Sequence, residues 1–303
     1  MNLIKKYIID LLYFFKVKKI YQTIHIRGIY PNIMYIDNGG YQQRNYSTIN
    51  LIKTMFNTYH SDFWGKKLDF WIYTGDRADE ANHIRRILRL DYIYAYSTTD
   101  KLENKVIPIP DFIFESWKEI GIESYEETRN KCILSGKEQY KFSKCFWIGT
   151  KKLHKTRELL IELSKQYPEY LEAISSEWLT SEVGKRQIAS KFISIYDHAK
   201  YKYLIDIQSL GYSGRLKLLF LLNRVIFVVK REHKEFYFSY LKDGENCIFV
   251  EENLEDLISK IKLLENNSVL YENIRKGGAV LVENYFTKEY IISYLKNTIM
   301  KRM

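Results

Sequence analysis

The stretch YKYLIDIQSLGYSGRLKLLFLLNRVIFVVK, Tyr201–Lys230, decides how this chain is read. A strand-like run, Tyr203–Ile207, gives way to a short glycine-bearing loop, SLGYSGR. A helix-like apolar stretch, Leu216–Leu222, follows, and then a second apolar strand, Arg224–Val229. Strand, tight loop, helix and strand make a βαβ unit, and in such units the loop after the first strand usually carries the chemistry. Gly211 and Gly214 let the backbone turn sharply and approach a ligand closely. A helix starting near Ser213 would present free N–H groups and a positive dipole end at that loop. Arg215 falls in its first turn, where the dipole disfavours a cation; an anion bound between them would account for it. The plainer reading is an ordinary loop whose arginine points to solvent, and these residues alone do not separate the two. Neither the GxGxxG nor the GxxxxGK[ST] phosphate fingerprint is present.

Outward from this unit, the second half of the chain alternates cleanly. CFWIG (Cys145–Gly149) reads as a strand, Thr156–Tyr167 as a helix, Cys247–Val250 as a short strand and Leu254–Leu264 as a helix, with two further helices closing the chain. The first half alternates too: strand-like TIHIRGI and NIMYID, a helix over Tyr46–Tyr59, the apolar strand in DFWIYTGD, a short helix in ANHIRRILRL, the strand DYIYAYST and a helix near Ser124–Cys132. Such alternation predicts an α/β protein with parallel sheets and helices on both faces. The polar run LSGKEQYKFSK, Leu134–Lys144, is the best candidate linker. The expected division is 1–136 for an N-terminal acceptor-side Rossmann-like domain, 137–285 for a C-terminal nucleotide-sugar-binding one, and 286–303 for a C-terminal helix that could cross back to the first. Two such domains facing each other would hold a ligand in a central cleft, at the carboxyl ends of the strands.

With 303 residues, the chain is long enough for two domains of ordinary size. Its hydrophobic (46%) and charged (28%) fractions fit a globular fold. The 26 tyrosines suit binding clefts, although an AT-rich codon bias explains most of them. A net charge of +10 favours phosphate-bearing partners, but the basic residues are spread along the chain, which argues against nucleic acid. Three cysteines, Cys132, Cys145 and Cys247, form neither a disulfide framework nor a zinc site, and buried thiols in a reducing compartment are expected. The start, MNLIKKYIIDLLYFFKVKKIY, is broken by Asp10, has no small-residue cleavage site and is too short to span a bilayer. It reads as an amphipathic helix that either lies on an anionic membrane surface or packs on the core.

Two further motifs end apolar strands. In CFWIGTKKLHKTRE, Gly149 and Thr150 lead into a loop with Lys151, Lys152, Lys155 and Arg157, which is either a second phosphate contact or a solvated basic loop. In DFWIYTGDRADE, the strand delivers Asp76 to its carboxyl end, where a carboxylate serves as a general base or caps the next helix.

Taken together, these motifs resemble glycosyltransferase family 90, which includes the eukaryotic protein O-glucosyltransferases, the capsule-associated xylosyltransferases and bacterial lipopolysaccharide glycosyltransferases. HAKYKYLIDIQSLGYSGRLKLLF is similar to the family's central signature through His198, Tyr201, Lys202, Tyr203, Leu204, Ser213 and Arg215, without a gap. KEFYFSYLKDGENCIFVEENLEDL resembles the segment beginning at the family's glutamate, here Glu235. CFWIGTKKLHKTRE resembles a Phe-Arg-Gly-Ser segment, with Thr150 for the serine and Arg157 for the later arginine. FWIYTGD resembles the strand ending in the catalytic aspartate, here Asp76. The chain departs from the family at Ile148, where an arginine is usual, and at Asp243–Cys247, which replaces a Pro-Trp-x-His-Tyr pattern.

The resemblance implies a GT-B fold, a UDP-sugar donor and inversion at the anomeric carbon. It places the donor on Gly149, Thr150, Arg157, Gly211, Tyr212, Ser213, Gly214, Arg215 and Glu235, and the base on Asp76, with Asp79 or Asp111 next to test. It implies no metal and no cofactor: Arg215, Arg157 and the helix start at Ser213 would balance the diphosphate. The acceptor would be a cell-surface glycan or glycolipid, in lipopolysaccharide or capsule biosynthesis. The setting would be cytoplasmic, peripheral on the inner face of the plasma membrane through the N-terminal helix. The alternative is a non-catalytic nucleotide- or glycan-binding protein on the same fold.

Overall fold

The computed structural model describes residues 20–180 and 187–303. The N-terminal segment read as a basic amphipathic helix, with Lys5, Lys6, Lys16, Lys18 and Lys19, lies outside the described residues. The chain divides into two compact units: Met1–Phe112 with His233–Phe236 and Ile292–Met303, and Ile113–Glu232 with Tyr237–Ile291.

The sheet of the first unit runs, in spatial order, β2 (Asn32–Asp37), β1 (Thr23–Ile29), β3 (Lys67–Tyr73), β4 (Ile93–Ala95) and β5 (Val106–Pro108). β1 is antiparallel to both neighbours, with Ile26 opposite Tyr35 on one side and Phe70 on the other. β3, β4 and β5 run parallel. The sheet is therefore mixed where alternation predicted a parallel one. Only Tyr30 and Pro31 separate β1 from β2, and a parallel crossover needs a dozen or more residues. Helix α1 (Gln42–Thr58) buries Leu51, Ile52, Met55 and Phe56, the stripe of an amphipathic helix. α2 (Ala78–Ile87) sets Ala78, Ala81 and Ile84 against Tyr73, Ile93, Ala95 and Val106.

In the second unit, α3 (Tyr125–Lys137) precedes β6 (Phe142–Gly149), α4 (Lys155–Gln166) and β7 (Leu171–Ser175). An antiparallel pair follows, β8 (Trp178–Thr180) with β9 (Gln187–Ala189). The chain then forms β10 (Tyr201–Asp206), α5 (Leu216–Phe220), β11 (Val225–Val229), β12 (Ile248–Val250), α6 (Leu257–Glu265) and α7 (Ser268–Tyr285), and α8 (Lys288–Met300) closes it. The main sheet has the order β12-β11-β10-β6-β7 and is parallel throughout. β10 and β11 are buried along their whole length, as strands covered on both faces must be. Tyr203, Ile205, Phe227 and Val229 meet Leu257, Ile261 and Leu264 of α6 in this core. From β6 the chain moves to β7 on one side, then returns to β10 on the other. The strand order thus reverses between β6 and β10, and in open α/β sheets ligands bind at such a switch point, outside the carboxyl ends of the strands.

The division between units falls at Phe112/Ile113, not at the 136/137 boundary expected from the polar run. LSGKEQYKFSK is the end of α3 and the start of β6. Arg224, at the foot of β11, explains why α3 stays with the second unit: its guanidinium donates to the carbonyls of Gly136 (3.0 Å) and Glu138 (2.7 Å). The end of α8 packs on the first unit, through Tyr92 Oη to the Arg302 carbonyl (3.1 Å) and a 2.9 Å ion pair between Lys296 and Asp62.

Candidate active site

The loops at the β6–β10 switch point gather most of the sequence-derived candidates. Gly149 ends β6, and a side chain there has no room: an added Cβ would lie 2.9 Å from the Trp147 ring and 3.4 Å from Arg215 Nη2. Glycine at this position therefore lets the half-buried Arg215 reach across β6. Its Nη1 donates to the Ile148 carbonyl, and its guanidinium sits 5.9 Å from the Trp147 ring centroid. Burial lowers the Arg215 pKa from its ordinary value, and the Asp206 carboxylate opposes that shift. A cation held in such surroundings is poised for an anion that would replace its lost water.

Arg157 is more deeply engaged. Its Nε donates to the Gln208 carbonyl (2.8 Å), Nη1 to Thr150 (3.1 Å) and Nη2 to Ile207 (3.1 Å). It ties the end of β6 to the end of β10, and in this structure its geometry is that of a brace. Thr150 also braces: its hydroxyl donates to the Ser176 carbonyl at 2.9 Å, fastening the end of β7. His154 caps α4 by accepting the Thr156 N–H at Nδ1, so its neutral ring carries the proton on Nε2. That nitrogen lies 2.8 Å from the Gln208 amide. With its amide turned so that Oε1 faces His154, Gln208 accepts the Nε2 proton and links the two loops.

The expected helix over Ser213–Leu222 shrinks to α5, with Arg215 as its N-cap residue and no side-chain cap. Five residues give little macrodipole, so the anion-binding helix start anticipated at Ser213 is absent from this loop. The physical reason is local. Ser213 Oγ donates to Asp206 Oδ1 at 2.6 Å, which holds residue 213 in the loop. Asp206 also forms a fully buried ion pair with Arg231 Nη2, at 2.7 Å. Gly211, Tyr212 and Ser213 are buried, and Gly214 is half-buried. Sequence reasoning missed Asp206 and Arg231. The available signal was a lone carboxylate inside the apolar run YLIDI, because a charge there needs a partner.

His198, from the same signature, is buried with its ring 4.9 Å from Phe146, edge to face. Burial, with a smaller push from Arg215 against the pull of Asp197, lowers its pKa to about 3. The imidazole is therefore neutral in the folded protein at pH 7. Below about pH 6.5 the unfolded chain takes up a proton at this residue that the folded chain refuses, so stability falls as pH drops from about 6.5 to about 3. At 1.36 kcal/mol per unit, the expected loss at pH 4 is about 3 kcal/mol. Chemical denaturation between pH 7 and pH 4 measures it, and His198→Gln should flatten that part of the profile. A parent whose stability is level over the range would disprove the assignment.

The first unit carries the other candidates. Asp76 follows β3 in the turn before α2. It caps nothing: the N-cap residue of α2 is Arg77, without a side-chain cap bond. Instead, Asp76 Oδ1 accepts from Arg44 Nη1 of α1 at 2.6 Å, and the Asp76 side chain remains 27% exposed. Oδ2 has no protein partner among the described residues. A carboxylate with one oxygen anchored and the other open is what a general base requires. Arg44, unremarked in the sequence, lies over the rings of Tyr41 (4.3 Å) and Phe112 (5.0 Å), which fix it for that task. Gly75 is demanded by its neighbour, since an added Cβ would fall 2.1 Å from Tyr73 Oη. Asp79 is held by Arg77 at 2.7 Å on the exposed start of α2, and Asp111 is buried. Glu235, also buried, belongs to the first unit; its neighbour Lys234 pairs with Thr98 through two backbone hydrogen bonds of 2.9 and 2.8 Å. Among the described residues, no group of three or more His, Cys, Asp or Glu is placed to hold a metal ion, and no helix is long and apolar enough to cross a membrane.

Comparison with known proteins gives the family. The family described as Glycosyl transferase family 90 matches residues 16–301. Protein O-glucosyltransferase 1 of Rattus norvegicus is 30% identical over 144 residues, 46% of this chain and 37% of the relative. O-glucosyltransferase rumi of Drosophila melanogaster is 29% identical over 141 residues, 44% of this chain and 34% of the relative. The matched stretches thus span about a third of the length of these relatives. Among solved structures, a glycosyltransferase from Rickettsia africae aligns over 86% of this chain and 82% of its own, with a TM-score of 0.44 and 12% identity. The C-terminal domain of a glycosyl transferase group 1 family protein from Francisella tularensis aligns over 52% of this chain and 93% of its own, with a TM-score of 0.35 and 16% identity.

Proposed function

This chain belongs to glycosyltransferase family 90, and we propose that it is an inverting enzyme moving a sugar from a UDP-sugar to a hydroxyl of a cell-surface glycan or glycolipid, as in lipopolysaccharide or capsule biosynthesis. The observation that carries this reading is the placing of Arg215 and its glycine-bearing loop at the β6–β10 switch point, beside Gly149. In this reading, Arg215 takes the diphosphate and the negative charge that grows as it leaves. Arg157 and Thr150 hold the strand ends that shape the loop. Asp76 accepts the proton of the acceptor hydroxyl while Arg44 fixes the orientation of its carboxylate. The guanidinium supplies the charge, so the proposed reaction needs no metal. The proposed setting is cytoplasmic, at the inner face of the plasma membrane, with the lysines near the N-terminus as its attraction to anionic lipid.

A thermal-shift screen of nucleotides and nucleotide sugars tests the reading. UDP at about a hundred times its dissociation constant should stabilise the fold by about 2.7 kcal/mol, a rise of several degrees, whereas nucleotides without a diphosphate should not. A melting temperature unmoved by every nucleoside diphosphate and nucleotide sugar would sink the donor assignment. Binding without turnover across a full donor and acceptor panel would turn the protein into a nucleotide- or glycan-binding one.

A further inference from the structure

The loop that holds Arg215 is not shaped by a helix start, so something else must fix it. Asp206 is the last residue of β10 and is completely buried. A buried carboxylate is tolerated only when its oxygens are met by donors. Here Oδ1 accepts the Ser213 hydroxyl hydrogen bond at 2.6 Å, and Oδ2 is balanced by the charge of Arg231 Nη2 in an ion pair at 2.7 Å. One side chain therefore joins three pieces of chain at the switch point: its own strand end, the SLGYSGR loop and the segment just after β11. The consequence for Ser213 is chemical. A hydroxyl has one proton, and this one is committed to Asp206. Ser213 Oγ can then accept a hydrogen bond from a ligand hydroxyl or N–H, but has none to give to a phosphate oxygen. Its effect on an anion must pass through the loop, to the arginine two positions on.

We infer that Asp206 is the positioning residue of the donor loop, acting through the Ser213 hydroxyl to set Arg215. The inference rests on the donor reading above and adds to it a residue that need not touch the ligand. The opposition of Asp206 to the lowering of the Arg215 pKa agrees with this role.

A double-mutant cycle on the full chain tests it, with Asp206→Ala, which removes the acceptor, Ser213→Ala, which removes the donor, and both together, each titrated calorimetrically with UDP. Each single change should raise the dissociation constant about tenfold, and the double variant should be no worse than the weaker single within about twofold, because both remove the same link. In turnover, Asp206→Ala should raise the donor KM by a similar factor and leave kcat within about threefold. Asp206→Ala deprives the buried Arg231 of its counter-charge, so if it does not fold, Asp206→Ala with Arg231→Met is measured with and without Ser213→Ala, where neither charge is stranded and the added Ser213→Ala should cost no more than about twofold. Losses that multiply to about a hundredfold in the double variant, unchanged UDP affinity in Asp206→Ala, or a kcat loss exceeding the KM change would each overturn the positioning role. A parent that binds UDP but shows one of these results leaves the donor reading standing. A parent that binds no nucleoside diphosphate overturns both.

Discussion

Arg215→Ala should weaken UDP binding about 10- to 150-fold, the equivalent of losing one hydrogen-bonded charge contact of about 1.5–3 kcal/mol. The side chain is held on the Ile148 carbonyl beside the Trp147 ring, so it does not have to be ordered when the ligand arrives. Arg215→Lys keeps the charge but loses the planar fork and should recover only part of the affinity. Arg157→Ala forms the contrast. Its guanidinium serves the carbonyls of Gln208, Thr150 and Ile207, so the variant leaves buried acceptors without those donors and should lower the melting temperature markedly. Calorimetry and melting curves on the two variants separate the roles. UDP affinity unchanged in Arg215→Ala would remove the diphosphate from this loop. A folded, fully stable Arg157→Ala with greatly weakened UDP binding would restore Arg157 to direct contact.

How far the sequence could lead is clear from where its reading stopped. Tyr203–Ile205 of β10 and Val225–Val229 of β11 are apolar throughout, and strands covered on both faces tolerate that, so the βαβ unit and its loop were legible from local pattern. The length of α5 was not. Leu216–Leu222 is apolar enough to predict a helix from Ser213, but a tertiary hydrogen bond to Asp206 keeps Ser213 in the loop. The same limit hid the two ion pairs that matter. Arg44 and Asp76 lie on different elements, as do Asp206 and Arg231, and no spacing rule joins them. The difference between the 136/137 boundary read from the sequence and the division at Phe112/Ile113 has a similar origin. Leu134–Lys144 is polar because α3 ends and β6 begins there, and what binds it to the second unit is Arg224, far along the chain. The antiparallel start of the first sheet was legible in principle, since the two residues between β1 and β2 rule out a crossover.

Asp76→Asn should spare UDP binding and reduce turnover by about 10²–10⁴-fold, the usual worth of a general base. The amide keeps the shape of the carboxylate and can still accept from Arg44, so the turn between β3 and α2 should persist. What it loses is the capacity to take a proton. A purely structural role predicts the reverse pattern. If Asp76 exists to neutralise Arg44, which is 16% exposed beside Tyr41 and Phe112, then Asp76→Asn lowers stability and changes turnover little. Arg44→Gln discriminates further. Under the base assignment it loosens the carboxylate without removing it, so turnover should fall by less than in Asp76→Asn. Under the structural assignment the two variants should melt alike and turn over alike. Turnover, UDP affinity and melting temperature measured on both variants decide between them. Turnover within a few-fold of the parent in Asp76→Asn would pass the role to another carboxylate. Asp79, on the first turn of α2, is the first to test there, because it is about half exposed and is held only at its edge, by Arg77 at 2.7 Å and by His233 at 3.7 Å.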